Sequence, residues 1–169
     1  MGNIQIRKMT PTDRLDVAEL ICFSTNHWYQ THGRSAIFTG GPKVTEAFFD
    51  VYEALDPGCG VVAVTTDGRL VGSCFYHPRE THVSLGIMNS HPSYAGAGVA
   101  RSLLGWIVDF ARREGKPLRL APWSAGIQRL AGSGLALDRP QARIFEAQRN
   151  LIRNPSPDTL LREIGLTLA

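Results

Sequence analysis

The sequence predicts a single α/β domain built on a mixed, mostly antiparallel sheet flanked by helices. Three observations carry that expectation. Two apolar runs, residues 61–64 and 70–76, flank Thr65-Thr66-Asp67-Gly68, a strong hairpin signal. A third extended run, residues 83–88, leads past Pro92 into a small-residue loop and then directly into a helix. Apolar residues at helical spacing recur twice before the hairpin and once after that loop.

In chain order, Ile4, Ile6 and Lys8 begin a short alternating strand. Thr10-Pro11-Thr12-Asp13 offers caps and a proline suited to the first helical position. Leu15, Val17, Ala18, Leu20, Ile21 and Phe23 then form the apolar stripe of a first helix. Residues 24–42 are polar, aromatic and glycine-rich and read as a loop. Residues 43–55 are helical, with Val44, Phe48, Val51, Tyr52 and Leu55 on one face. Asp56-Pro57-Gly58 is a turn, and Asp67-Gly68 is the pair favoured in a two-residue hairpin connection. A third strand spans residues 82–89. The next helix, 98–114, carries a polar stripe of Arg101, Ser102, Asp109, Arg112 and Arg113, with Gly115 closing it and Pro117 beyond. Residues 118–121 form a short strand. Residues 123–169 read as a helical tail of the same domain. Asp138 caps a helix running to about residue 152, with Ile144, Phe145, Leu151 and Ile152 along one side. Asn154-Pro155-Ser156-Pro157-Asp158 breaks it, and a last short helix follows.

Composition excludes several classes. A chain of 169 residues can bury about two-thirds of its unfolded surface. Its hydrophobic fraction is 43%, without an apolar run near the ~20 residues of a membrane span. The N-terminus reads as a strand and lacks a secretory apolar region. A net charge of +3 is too mild and scattered to argue for nucleic acid. Cys22, Cys59 and Cys74 are widely separated and form no metal-ligand spacing, which fits reduced thiols of a cytoplasmic protein.

The chemistry concentrates in residues 91–104. Gly96, Ala97 and Gly98 sit where the backbone turns and where helix N–H groups lack partners, a terminus able to hold a phosphate or pyrophosphate. The dinucleotide pattern G-x-G-x-x-G fails at Arg101, and no Gly-Lys-Ser/Thr supports a P-loop. Residues 60–120 instead resemble the core of the GNAT acetyltransferase superfamily. That family has a strand, a Pro, and R/Q-x-x-G-x-G/A opening a helix. Gly98-Val99-Ala100 matches the G-x-G/A portion, Ala95 stands at the R/Q position, and Ser90 stands where the strand usually has Val. The element order also resembles the family's over residues 4–122, so 1–122 reads as the acetyltransferase core. The tail departs: it has no Tyr and no Gly-Phe pair.

The resemblance implies an N-acetyltransferase moving an acetyl group from acetyl-CoA to an amine of a small molecule or peptide, without a metal. The alternative is an acyl-CoA-binding or interaction module without turnover. By the same resemblance the backbone of Met88, Asn89 and Ser90 polarises the thioester. Ala95, Gly96, Ala97, Gly98, Val99, Ala100 and Arg101 hold the cofactor's pyrophosphate. The connection containing His27, Trp28 and Tyr29 walls the acceptor site. Glu80, His82 and His77 are the candidate bases, and Tyr94 is preferred over Tyr76 as a ligand contact and proton donor. A V-shaped split is expected between the strand ending near Ser90 and residues 118–121. The tail is expected either to pack over the sheet edge beyond them or to be poorly ordered, with a homodimer as one outcome.

Overall fold

A computed structural model describes residues 4–120. The chain divides after Arg119 into two compact units. Apart from Leu120 the second unit lies outside the described residues, as do the expected tail helices.

The described residues form a five-stranded sheet in chain order: β1 (Ile4–Lys8), β2 (Gly60–Thr65), β3 (Leu70–Pro78), β4 (Val83–Ser90) and β5 (Leu118–Leu120). β1–β2, β2–β3 and β3–β4 pair antiparallel. The Val83 N–H donates to the Pro117 carbonyl at 2.9 Å, joining the starts of β4 and β5. The two strands therefore leave that bond in the same direction. Helices α1 (Arg14–Thr31) and α2 (Pro42–Leu55) cover one face, and α3 (Val99–Arg113) covers the other. Among the described residues no helix is long and apolar enough to cross a membrane.

Each face has its own core. On the α3 side, Val61, Ala63, Val71, Cys74 and Tyr76 meet Val99, Leu103, Ile107 and Ala111. On the other side the Phe75 ring stacks on Tyr52 at 4.4 Å and meets Phe49 edge-on at 6.4 Å. Burying each such ring contributes on the order of 1.5–3 kcal/mol. α2 is fixed to α1 by the buried Thr45 hydroxyl, which donates to the Ala18 carbonyl (2.6 Å). On the surface Arg14 bridges to Glu46 and Asp50. The Lys8 ammonium donates to the Gly58 carbonyl (2.7 Å) and to the Tyr76 hydroxyl, over the rings of Tyr76, Trp106 and Phe110. It thereby ties β1 to α3.

Two local expectations are corrected. The β2–β3 connection has three residues, not two. The Thr65 N–H bonds the Arg69 carbonyl, the Gly68 N–H bonds the Thr65 carbonyl, and Gly68 has φ 85°. That is a type I turn followed by a left-handed glycine, which suits Asp67-Gly68 equally well. Helix α1 also continues to Thr31, through residues read as loop. Its polar residues are satisfied without leaving the helix. The Ser24 hydroxyl donates to the Leu20 carbonyl (2.6 Å), and the Thr31 hydroxyl to that of His27 (2.9 Å).

Gly72 lets α3 sit close on the sheet. A Cβ there would fall 2.5 Å from Val99 Cγ1 and 3.1 Å from Ala63 Cβ. Val99 is stiff at χ1 and opens α3, so it cannot yield without moving the helix start. Gly72→Ala should cost about 1–3 kcal/mol by overpacking, read as a lower urea midpoint with an unchanged slope.

A second expectation concerns acid. Burial by itself would raise the Asp56 carboxyl. Hydrogen bonds from His77 (2.5 Å) and Arg79 (2.7 Å) outweigh it and bring the group to about 2. Its unfolded value is about 3.9. The stabilisation is thus complete above about pH 4 and is lost as pH falls through about 2. Urea midpoints measured across that window should fall less steeply in Asp56→Asn than in the parent.

Candidate active site

The site is built from one continuous stretch: the end of β4, a 3₁₀ turn (Pro92–Tyr94), a loop, and the start of α3. His91 caps the turn, its Nδ1 accepting from the Ser93 N–H at 3.2 Å. The Ala95 and Ala97 N–H groups bond back to Pro92 and Tyr94. Gly98, the N-cap, is left-handed at φ 83°, and a Cβ there would meet open space. Hydrogen bonding within α3 begins with the Ser102 N–H on the Gly98 carbonyl. The N–H groups of Val99, Ala100 and Arg101 therefore point out of the helix end, where the dipole favours an anion. The loop around them is mostly exposed, and Arg101 adds an exposed guanidinium in the first turn.

The neighbouring strand turns its own N–H groups outward. Cys74 faces Met88 and Tyr76 faces Leu85, so Gly86 and Ile87 together oppose Phe75 in a β-bulge. Beyond the bulge the His91 N–H bonds the Val71 carbonyl. Bonded and non-bonded pairs alternate in an antiparallel ladder. Asn89–Ser73 is thus the next bonded pair, and the N–H groups of Met88 and Ser90 point away from β3. β5 begins opposite Val83 and has three residues against eight in β4. Met88 and Ser90 consequently lie past its described end. A Cβ at Gly86 would stand 2.8 Å from the Phe75 carbonyl and 2.9 Å from His77 Nε2, which ties the bulge to glycine.

Asn89 faces α1. Its Nδ2 donates to the Ser24 hydroxyl at 2.7 Å. The Ser24 proton is committed to Leu20, so Ser24 accepts and the orientation of the Asn89 amide is fixed. Asn89 Oδ1 is buried without a hydrogen-bond partner.

The structure brings together only some of the residues expected from sequence. Met88, Asn89, Ser90 and the loop from Ala95 to Arg101 are contiguous, and Tyr94 lies between them, its ring edge-on to His91 at 5.9 Å. Glu80 and His82 lie at the opposite end of β4, roughly 20 Å along the strand from Asn89. Glu80 is exposed, and His82 is buried between the hydroxyls of Thr81 and Ser84. His27, Trp28 and Tyr29 ride on the last turns of α1 rather than on a loop. His27 stacks on Phe23, whereas Trp28 stacks on His32 at 4.2 Å. His77 is held through Nδ1 by Asp56 and stacks on Tyr52. Sequence reasoning missed the stack of Phe23 on His91 (5.1 Å). No spacing in the sequence signals it, because the two rings come from separate elements. Among the described residues no group of three or more His, Cys, Asp or Glu could hold a metal.

The sequence pattern of the Acetyltransferase (GNAT) family matches residues 17–125, most of the chain and all of this site. The chain belongs to the GNAT acetyltransferase family. Its fold is similar to that of a GNAT-family acetyltransferase from Brucella melitensis in complex with acetyl-CoA. That match has 19% identity and TM-score 0.54, over 77% of this chain and 82% of that one. It is also similar to a GCN5-related N-acetyltransferase from Sphaerobacter thermophilus, at 20% identity and TM-score 0.54, over 77% of this chain and 42% of that one. A third likeness is to the GNAT-family N-acetyltransferase YhbS from Escherichia coli in complex with CoA. There identity is 19% and TM-score 0.51, over 69% of this chain and 60% of that one. The chain therefore spans less than two-thirds of the length of the last two. No curated protein matches it.

In this GNAT site His91 is a hydrogen-bond donor. Partial burial lowers its pKa, and the nearby Arg69 guanidinium lowers it further. The ring is neutral at pH 7, its Nδ1 accepts from Ser93, and its proton therefore sits on Nε2. An NMR titration should find the His91 midpoint below the ordinary value of about 6.5, and Arg69→Gln should move it upward.

Proposed function

We infer that this chain transfers the acetyl group of acetyl-CoA to an amine. The observation that carries the reading is the outward-turned N–H pair of Met88 and Ser90, followed directly by an anion-ready helix start. Family membership supports it, as do the fold relatives whose structures hold acetyl-CoA or CoA.

The pyrophosphate is assigned to the N–H groups of Val99, Ala100 and Arg101, with Gly96, Ala97 and Gly98 giving close backbone approach. Ala95 contributes backbone only, so Arg101 supplies the nearby charge. The thioester carbonyl lies against the Met88 and Ser90 N–H groups, which stabilise the negative charge that develops on its oxygen. The amine lone pair forms the new C–N bond as the C–S bond breaks. The sulfur leaves with the electron pair and takes a proton from the Tyr94 hydroxyl. The amine's proton goes to a base. Glu80 and His82 are set at the far end of β4. His77 is the candidate that stands beside the bulge: Asp56 holds its Nδ1, and Nε2 faces Gly86. An ionised carboxylate on Nδ1 fixes the tautomer that leaves Nε2 free to accept a proton. The free cysteines suit a reducing, cytoplasmic setting.

Gly98→Asp places a carboxylate at the mouth of the anion site. Aspartate tolerates the left-handed conformation, so the fold should persist by circular dichroism. Acetyl-CoA affinity by calorimetry should fall about tenfold or more, as expected for a lost charge-assisted contact. Unchanged affinity would remove this loop as the phosphate site. Acetyl-CoA binding by the parent without thiol release, across a panel of primary amines, would favour an acyl-CoA-binding module instead.

A further inference from the structure

The exposed side of α1 carries a feature that lies outside the residues assigned above to acetyl-CoA. Asp16, Glu19, Phe23 and His27 follow one another at spacings of three and four and so share one face of the helix. Two clefts flank this stripe. One, of about 310 Å³, lies between α1 and the β2–β3 turn and includes Asp16, Glu19, Phe23, Arg69 and His91. The other, of about 320 Å³, lies against the later turns of α1 and includes Glu19, Phe23, Asn26 and His27. Glu19 and Phe23 belong to both.

The chemistry at that junction is specific. Neither Asp16 nor Glu19 has an ion-pair partner within 4 Å among the described residues. The first cleft holds two carboxylates against one guanidinium. In the second, Glu19 is the only Asp, Glu, Lys or Arg side chain. The field of Glu19 reaches His91 on one side and Cys22 on the other. Phe23 is 48% exposed, and its ring is stacked with His27 and His91 into an apolar wall. That wall runs on through Tyr94 to the loop before α3. A carboxylate pair beside an apolar wall fits a cation carried on an aliphatic stem. The neutral His91 adds no opposing charge.

We propose that the junction at Glu19 and Phe23 is the acceptor subsite, and that it selects an amine carrying a second cationic group on a short aliphatic stem. This rests on the acetyl-transfer reading and names its acceptor class. One ammonium sits at Glu19 and Asp16, the stem lies along Phe23, and the other amine, deprotonated before attack, points past His91 toward Met88 and Ser90.

The test compares 1,4-diaminobutane, n-butylamine and 4-aminobutyrate, which share a four-carbon stem and differ at the far end. Each is titrated calorimetrically into the protein saturated with CoA, and each is assayed for thiol release from acetyl-CoA. The diamine should bind tightest and react with the highest kcat/KM, with 4-aminobutyrate last. Glu19→Gln, an exposed substitution, should weaken the diamine about tenfold and leave acetyl-CoA affinity unchanged. Equal binding of the three amines, a preference for 4-aminobutyrate, or a diamine preference that survives Glu19→Gln would overturn the proposal while leaving acetyl transfer standing. Glu19-dependent diamine binding with no thiol released would uphold the subsite and overturn the transfer.

Discussion

The β-bulge at Gly86 and Ile87 sets the phase of everything that follows it in the chain. Without the extra residue, Met88 would pair with Ser73 and turn its N–H into the sheet, and Asn89 would face the other helix layer. With it, Met88 and Ser90 present main-chain donors at the strand's outer edge, and Asn89 reaches Ser24 on α1. The device depends on one absent carbon atom, because the Phe75 carbonyl and the His77 ring both occupy the space a Cβ would need. A core position thus governs chemistry several residues away, by parity rather than by contact.

A second close approach completes the arrangement. Gly72 in β3 admits Val99, and Val99 opens α3, so the free end of that helix is pinned over the sheet. Both sets of outward N–H groups then belong to one rigid run from strand to helix. The left-handed Gly98 makes the sharp change of direction between them without a steric cost. Preorganised dipoles of this kind need no rearrangement when charge appears in front of them.

Much of this was legible in the sequence. The apolar runs on either side of Asp67-Gly68 announced the hairpin. Gly96, Ala97 and Gly98 announced the helix start, since only small residues suit a turn that opens onto a ligand. What was not legible depended on tertiary partners. Ser24 and Asn26 look like loop residues because their side chains compete with helical hydrogen bonds. Only the folded chain shows that Ser24 bonds Leu20 and receives Asn89. Glu80 and His82 are near β4 in sequence, yet proximity along a chain cannot say that they fold at the end of the strand away from Asn89. Gly86 carries no sign of the bulge in the sequence, because a bulge is defined by the register of two strands. Phe23 read as core because its helical spacing fits, whereas the stack with His91 leaves it half exposed.

Asn26 has a consequence of its own. Its side-chain oxygen accepts from the Ile37 and Phe38 N–H groups, both at 3.0 Å, and its Nδ2 donates to the Phe38 carbonyl at 3.1 Å. One amide side chain thereby imitates a short piece of neighbouring strand. The connection between α1 and α2 is anchored at its midpoint, and the buried Phe38 ring meets Phe48 edge-on at 5.9 Å. The conformational entropy of that connection is surrendered when the protein folds, at about 1–2 kcal/mol per fixed residue. Anything that later docks against α1 meets a surface already ordered, and its affinity is not reduced by the cost of organising a loop.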